Sequence, residues 1–212
     1  MNNIIKNAVD VVFGCPVFVN DSHSDELKQI QKELEKTIPL LIPNLSDSSN
    51  YPWDKGKNGN KLNLNLPINI ISEYNLINLK KYIFECVGEY LDNIGGKECT
   101  FHIEHSWLTE MTKGDYMGKH NHGSSHISGV YYYKVDNDGG DLILFPQGAQ
   151  SVHPFPKMFS QSDKYSPTIH YKPKVGRIIM FPAWTEHCVT ECKSDVLRYS
   201  IPFNINLNLL YV

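Results

Sequence analysis

Three histidines and one arginine hold most of the chemistry legible in this chain. His120 and His122 lie two residues apart, His187 follows the strand-like run Arg177-Ile-Ile-Met-Phe-Pro182, and Arg198 comes eleven residues after His187. Side chains at i and i+2 of a strand point to one face, so His120 and His122 are expected to grip one ion. His187 would arrive from a distant strand as a third ligand. Imidazole suits iron, zinc and copper, and three protein ligands leave coordination positions open, the geometry of a reactive metal rather than a structural one. Arg198 offers a permanently charged planar fork matched to a carboxylate. On a strand, Ser200, Pro202 and Asn204 share its face, which lets Ser200 add a hydroxyl to that carboxylate. In the run Ile127-Ser-Gly-Val-Tyr-Tyr-Tyr133, residues Ser128, Val130 and Tyr132 share one face and Gly129, Tyr131 and Tyr133 the other.

The order of these residues resembles the Fe(II)/2-oxoglutarate dioxygenases. Tyr116-Met-Gly-Lys-His120-Asn-His122, Ile127 to Tyr133 and Gly139-Gly-Asp-Leu-Ile-Leu-Phe145 look like the first half of that family's barrel. Pro173-Lys-Val-Gly-Arg-Ile-Ile-Met-Phe-Pro182, His187 and Arg198-Tyr-Ser-Ile-Pro-Phe-Asn204 look like the second. The similarity is strongest to the prolyl-4-hydroxylase-like branch and its small viral and bacterial oxygenases, and it spans roughly residues 100 to 206. It implies Fe(II), 2-oxoglutarate and dioxygen as cofactors, with His120, His122 and His187 as metal ligands. It also implies Arg198, Ser200, Tyr132, Ser128 and Asn204 as the 2-oxoglutarate site, Tyr132 supplying a phenol to the distal carboxylate. The implied reaction hydroxylates an unactivated C–H bond of a small-molecule or peptidyl substrate, prolyl among them, while 2-oxoglutarate is decarboxylated to succinate and carbon dioxide.

One position departs from the common pattern. Most such enzymes have Asp or Glu where this chain has His122, so the metal here would keep more positive charge. Asp115 and Asp141 lack the i, i+2 relation to His120 that a substitute carboxylate would need. Two alternatives follow: a three-histidine cupin-like dioxygenase that does not use 2-oxoglutarate, or a non-catalytic metal-binding jelly roll. Arg198 and Ser200 speak against the first. His-Asn-His does not announce a nuclease of that name, since no ββα metal finger or basic surroundings accompany it. A halogenase would need a small residue at position 122. His126 is a rival ligand on even spacing, but Gly123-Ser-Ser125 reads as a turn that removes it to the pocket or surface. Trp184 and Glu186 are expected at the barrel mouth. The insert 147–172, with His153 and Tyr165, and the loop 44–60 are expected to choose the substrate.

The elements that must position these residues change character near residue 98. Residues 1–98 read as a helical and β extension, and residues 99–212 as the oxygenase core. Val11 to Val19 is an apolar run that suggests an early strand. Ser24 or Asp25 can cap a helix with Leu27, Ile30, Leu34 and Ile38 on one stripe, ended by Pro39. A second helix is expected from about Ser72 to Asp92, with Leu76, Leu79, Ile83, Val87 and Tyr90/Leu91 inward and Gly95-Gly96 stopping it. Between the helices, Leu62, Leu64 and Leu66 alternate as a short strand would. From Lys97 the period is two, with Phe101, Ile103, His105 and Trp107 on one face of a strand. Turn signals at 136–140, Gly148 and 173–176 divide the remainder into short strands. The fold class expected is mainly β: a double-stranded β-helix of the jelly-roll or cupin kind with supporting N-terminal helices.

Composition narrows the setting. A net charge of −3 and a pI near 6.3 give no electrostatic attraction to nucleic acid or an anionic membrane. No signal peptide is evident and no apolar run reaches transmembrane length. Cys15, Cys86, Cys99, Cys188 and Cys192 are odd in number and read as reduced thiols, which fits the cytoplasm (host cytoplasm for a viral source). The expected partner is a small-molecule or peptidyl substrate, with a homodimer left open.

Overall fold

The computed structural model describes residues 14–47, 61–62, 69–96, 99–145 and 168–209. Two antiparallel sheets form the body. The larger contains β1 (Phe18–Asp21), β2 (Ser46–Asp47), β3 (Lys61–Leu62), β4 (Cys99–Ser106), β5 (Thr109–Met111), β7 (Ile127–Lys134), β10 (Arg177–Pro182) and β12 (Arg198–Leu209). Its order is β1-β10-β7-β12-β5-β3-β2, with β4 also pairing β12. The smaller sheet runs β6 (Met117–His120), β11 (His187–Val189), β8 (Leu142–Leu144) and β9 (Ile169–Tyr171).

The alternation along β7 and β12 divides the interior into two cores. Tyr131, Ile201, Phe203 and Ile205 pack behind the larger sheet against the helices. Val130 and Tyr132 face the other way, into the barrel, with Leu142, Leu144, Ile179 and Phe181. Buried apolar surface on both faces makes the central strands near-continuously apolar, and the helix core explains why.

Helix α1 (Ser24–Leu41) buries Ile30, Leu34, Ile38 and Leu41, so the expected stripe is present. Its start differs slightly, because His23 is the N-cap and makes no side-chain cap bond. Pro39 does not end it; the proline lies inside the last turn, and the chain tightens into a 3-10 turn at Ile42–Asn44. The second helix does not begin at Ser72. A short turn, α2 (Ile70–Glu73), is capped by Asn69, and Asn75 then takes a left-handed φ of 51° that breaks the helix before α3 (Ile77–Ile94). The cap of α3 is tertiary: the Glu33 carboxylate on α1 accepts from the backbone N–H of Asn78 and Leu79 at 3.1 and 3.0 Å. Gly95, at φ 84°, ends α3 as expected.

Three strand expectations shift. The early strand starts at Phe18, beyond Gly14 and Pro16, while 11–13 lie outside the described residues. β3 covers Lys61–Leu62 and pairs with β5; Leu64, Leu66 and Trp53 lie outside the described residues. On β4 the alternation holds at Phe101 and Ile103 and then inverts. Asn204 pairs with His105 but Ile205 with Ile103, so Glu104 is a bulge residue without a register partner. Ser106 thereby turns inward towards the helices, and Trp107 turns to the barrel.

Candidate metal centre and anion pocket

Strand pairing brings the distant histidines together. His120, the last residue of β6, is the direct register partner of His187, the first of β11. His122 lies beyond β6 rather than on it, held where its backbone N–H donates to Ala183 O at 2.8 Å. Convergence therefore comes from that loop contact and not from strand periodicity. Ring centroids are 4.3 Å apart for His120 and His187, 5.1 Å for His120 and His122, and 5.2 Å for His122 and His187. One nitrogen from each ring lies within 4.8 Å of the others, and among the described residues no other such group of His, Cys, Asp or Glu forms.

Hydrogen bonds select the nitrogens. His120 Nδ1 lies 2.8 Å from Gly118 O and His187 Nδ1 lies 2.9 Å from Thr185 O. A carbonyl accepts only, so each Nδ1 holds the proton and Nε2 becomes the basic nitrogen. Burial first, then the neighbouring His120, depresses His122 to about 4 and His187 to about 3. Both rings are therefore neutral near pH 7, the form in which imidazole ligates a metal.

The same cavity contains an anion pocket. Arg198 is 2 % exposed, and its Nη1 donates to Gly139 O at 2.7 Å and Gly140 O at 3.1 Å. The guanidinium carbon sits 5.2 Å from the centroid of the Tyr132 ring. Arg198 Nε, Tyr132 OH and Thr109 Oγ1 are buried without a hydrogen-bond partner among the described residues. Burial pushes Tyr132 above its ordinary pKa and Arg198 below its own. A buried guanidinium with its Nε unmet, beside two unsatisfied hydroxyls, forms a pocket that a carboxylate would complete.

The pocket-facing residues expected from the sequence divide by position. Ser200 pairs with Tyr132 across β12 and β7, placing it at the arginine end. Ser128 and Asn204 pair six residues away on β12, about 20 Å along the strand from Arg198. There Ser128 Oγ donates to Asn204 Oδ1 at 2.9 Å, and Asn204 Nδ2 faces His122 Nδ1 at 3.5 Å. Two residues had no signal in the sequence. Thr109 enters because β5 pairs with β12, and Trp107 enters because of the β4 bulge, its ring centroid 5.7 Å from that of His122. Met117, Leu142, Phe181, Val189 and Pro202 supply apolar walls.

The remaining candidates sit elsewhere. His126 Nδ1 lies 3.1 Å from Asn206 Oδ1, outside the triad. Asp115 caps its own turn by accepting from Thr112 N and Oγ1 at 2.7 and 2.9 Å. Asp141 lies 3.8 Å from His170. Glu186 pairs with Lys119, and Trp184 is 43 % exposed. His153 and Tyr165 fall outside the described residues, as do most of the insert and of the loop 44–60.

A family model described as putative 2OG-Fe(II) oxygenase matches residues 105–204, which include the triad, Arg198 and both halves of the barrel. Over that stretch the chain is similar to the 2OG-Fe(II) oxygenases. Solved structures agree on the fold, a double-stranded β-helix. The epimerase SnoN from nogalamycin biosynthesis is 10% identical with a TM-score of 0.61, covering 90% of this chain and 78% of that one. A Trichoplax adhaerens prolyl hydroxylase, solved with a hypoxia inducible factor peptide, is 15% identical with a TM-score of 0.59, covering 91% and 83%. A Pseudomonas putida prolyl-4-hydroxylase is 11% identical with a TM-score of 0.55, covering 90% and 92%. Comparison with curated protein sequences gives no significant match. Fe(II), 2-oxoglutarate and dioxygen are the cofactors of this oxygenase family, and the three imidazoles and the arginine pocket fit the first two. No helix among the described residues is long and apolar enough to cross a membrane.

Proposed function

We propose that this protein hydroxylates an unactivated C–H bond, with His120, His122 and His187 holding Fe(II) and the Arg198 pocket holding 2-oxoglutarate. The observation that supports this reading is the buried, incompletely satisfied guanidinium in the same cavity as three convergent imidazoles. Bound Fe(II) and 2-oxoglutarate together supply the oxidant, consuming dioxygen and releasing succinate and carbon dioxide. The chain's own residues bind, orient and exclude water. Arg198 neutralises the distal carboxylate, with Tyr132, Thr109 and Ser200 donating around it. Phe181, Val189, Leu142 and Val130 keep the cavity dry, which strengthens each charged contact inside it. The substrate class proposed is an aliphatic C–H of a small molecule or peptidyl side chain, approaching past Trp107.

The three-histidine set also suits a dioxygenase that does without 2-oxoglutarate, since no carboxylate belongs to the group. Anaerobic titration of the Fe(II)-loaded protein with 2-oxoglutarate separates the two. A weak visible charge-transfer band that appears on titration and is lost in Arg198→Ala supports the 2-oxoglutarate reading. Bound iron with no band favours the second reading and overturns the first.

A further inference from the structure

We propose that Asn204, steadied by Ser128, is a positioning residue that sets which nitrogen of His122 meets the metal. The inference rests on the reading of the three histidines as ligands. A carboxylate at position 122 would need no such help, because either of its oxygens can ligate. An imidazole has one lone pair in its neutral form, and the proton on the other nitrogen needs an acceptor. His120 and His187 find theirs in the backbone carbonyls of Gly118 and Thr185. For His122 the neighbour at Nδ1 is the side chain of Asn204, at 3.5 Å.

Asn204 is 6 % exposed and fixed by strand pairing on both sides, to Ser128 on β7 and His105 on β4. Its Nδ2 faces His122 while its Oδ1 accepts from Ser128 Oγ at 2.9 Å. In this orientation Nδ1 of His122 accepts and Nε2 holds the proton, which is unsuited to coordination through Nε2. Rotating the amide by half a turn reverses both roles. Oδ1 then accepts from Nδ1–H of His122, and Nδ2 donates to Ser128 Oγ, which can accept as readily as donate. The hydroxyl thus satisfies the amide in either orientation, and metal binding through Nε2 is coupled to the second.

The test is Co(II) affinity, read from the ligand-field spectrum, in the full chain and in two variants. Asn204→Leu keeps volume and removes the acceptor; the expected result is a 10- to 100-fold loss of affinity. Asn204→Asp restores an acceptor and is expected to stay within about threefold of the parent protein or to bind tighter. Long-range proton–nitrogen NMR of the Zn(II)-loaded protein should show His122 protonated at Nδ1 in the parent and in Asn204→Asp. Asn204→Leu affinity within about threefold of the parent, or Zn(II) bound through Nδ1 of His122, overturns the inference. Should Asn204→Leu fail to fold, Ser128→Ala takes its place, with an expected several-fold loss; unchanged affinity there counts against the proposal. His122→Ala distinguishes the two levels. Undiminished Co(II) affinity in that variant removes the ligand reading itself, whereas its loss beside a normal Asn204→Leu removes this inference alone.

Discussion

The two ends of the cavity are finished to different degrees. At the histidine end, ring nitrogens turned from the centre meet Gly118 O, Thr185 O and the Asn204 amide. At the arginine end, Arg198 Nε, Tyr132 OH and Thr109 Oγ1 are buried without a partner among the described residues. A buried donor left unmet costs about 1–3 kcal/mol, more when charged. The fold therefore meets the outward ring nitrogens in advance and leaves buried donors at the arginine end for a ligand to meet. Metal should therefore bind with little rearrangement beyond the Asn204 amide, and 2-oxoglutarate should stabilise the protein on arrival.

The sharpest way to break this contrast is at His187. Replacing it with Ala removes a ligand rather than a supporting bond, so Fe(II) affinity should fall more than the roughly 10- to 100-fold typical of losing an outer hydrogen bond. Metal content after equilibrium dialysis measures it, and undiminished stoichiometry would sink the ligand assignment. Next in size is Arg198. With Zn(II) in place of iron, 2-oxoglutarate at a hundredfold above its Kd should add about 2.7 kcal/mol. For a chain of this length that is a rise in Tm of about 5–10 °C. Arg198→Met should abolish the rise and leave Zn(II) affinity unchanged. A rise that persists in the variant would place the dicarboxylate elsewhere.

The same contrast decides what could be read from the sequence. His120, His187 and Arg198 were legible because strands project alternate residues and their flanking runs are regular. His122 was placed rightly beside them for a different reason from the structural one, since its loop is held by Ala183 O and not by strand periodicity. Trp107 and Thr109 were not legible as pocket residues. Trp107 reaches the cavity through a bulge at Glu104, and Thr109 through a pairing between strands some ninety residues apart. The helix α3 boundary was missed because its break is one left-handed Asn75 and its cap is a carboxylate on another helix. Stripes and alternation are local signals; bulges and tertiary caps are not.

At the histidine end the contrast also predicts a pH dependence in metal-free protein. His122 and His187 titrate at about 4 and about 3 when folded, chiefly because of burial, against an ordinary value of 6.5. Below pH 6.5 the unfolded chain takes up protons that the folded one refuses, so stability falls as pH falls. The loss begins near pH 6.5 and is complete for both rings only below about 3. Near pH 5 the slope should approach two protons, about 2.7 kcal/mol per pH unit. Urea melts between pH 7 and 5 measure it, and the double variant His122→Asn/His187→Asn should be flat over that window. A parent slope as flat as the variant's would mean that the rings protonate without resistance in the fold.

The smallest effect is expected at Gly140, and it tests whether the arginine end is preorganised at all. Gly140 has φ +89°, and a Cβ there would lie 2.5 Å from Thr190 O and 3.3 Å from Arg198 Nη1. Its carbonyl and that of Gly139 are the acceptors that hold Nη1. Ala at this position should destabilise by about 1–2 kcal/mol from the left-handed backbone alone. If those carbonyls also aim the guanidinium, 2-oxoglutarate affinity should drop several-fold while Zn(II) affinity stays level. A stability loss without any change in 2-oxoglutarate affinity would show that Arg198 finds the carboxylate unaided, and that the paired glycines serve the turn rather than the pocket.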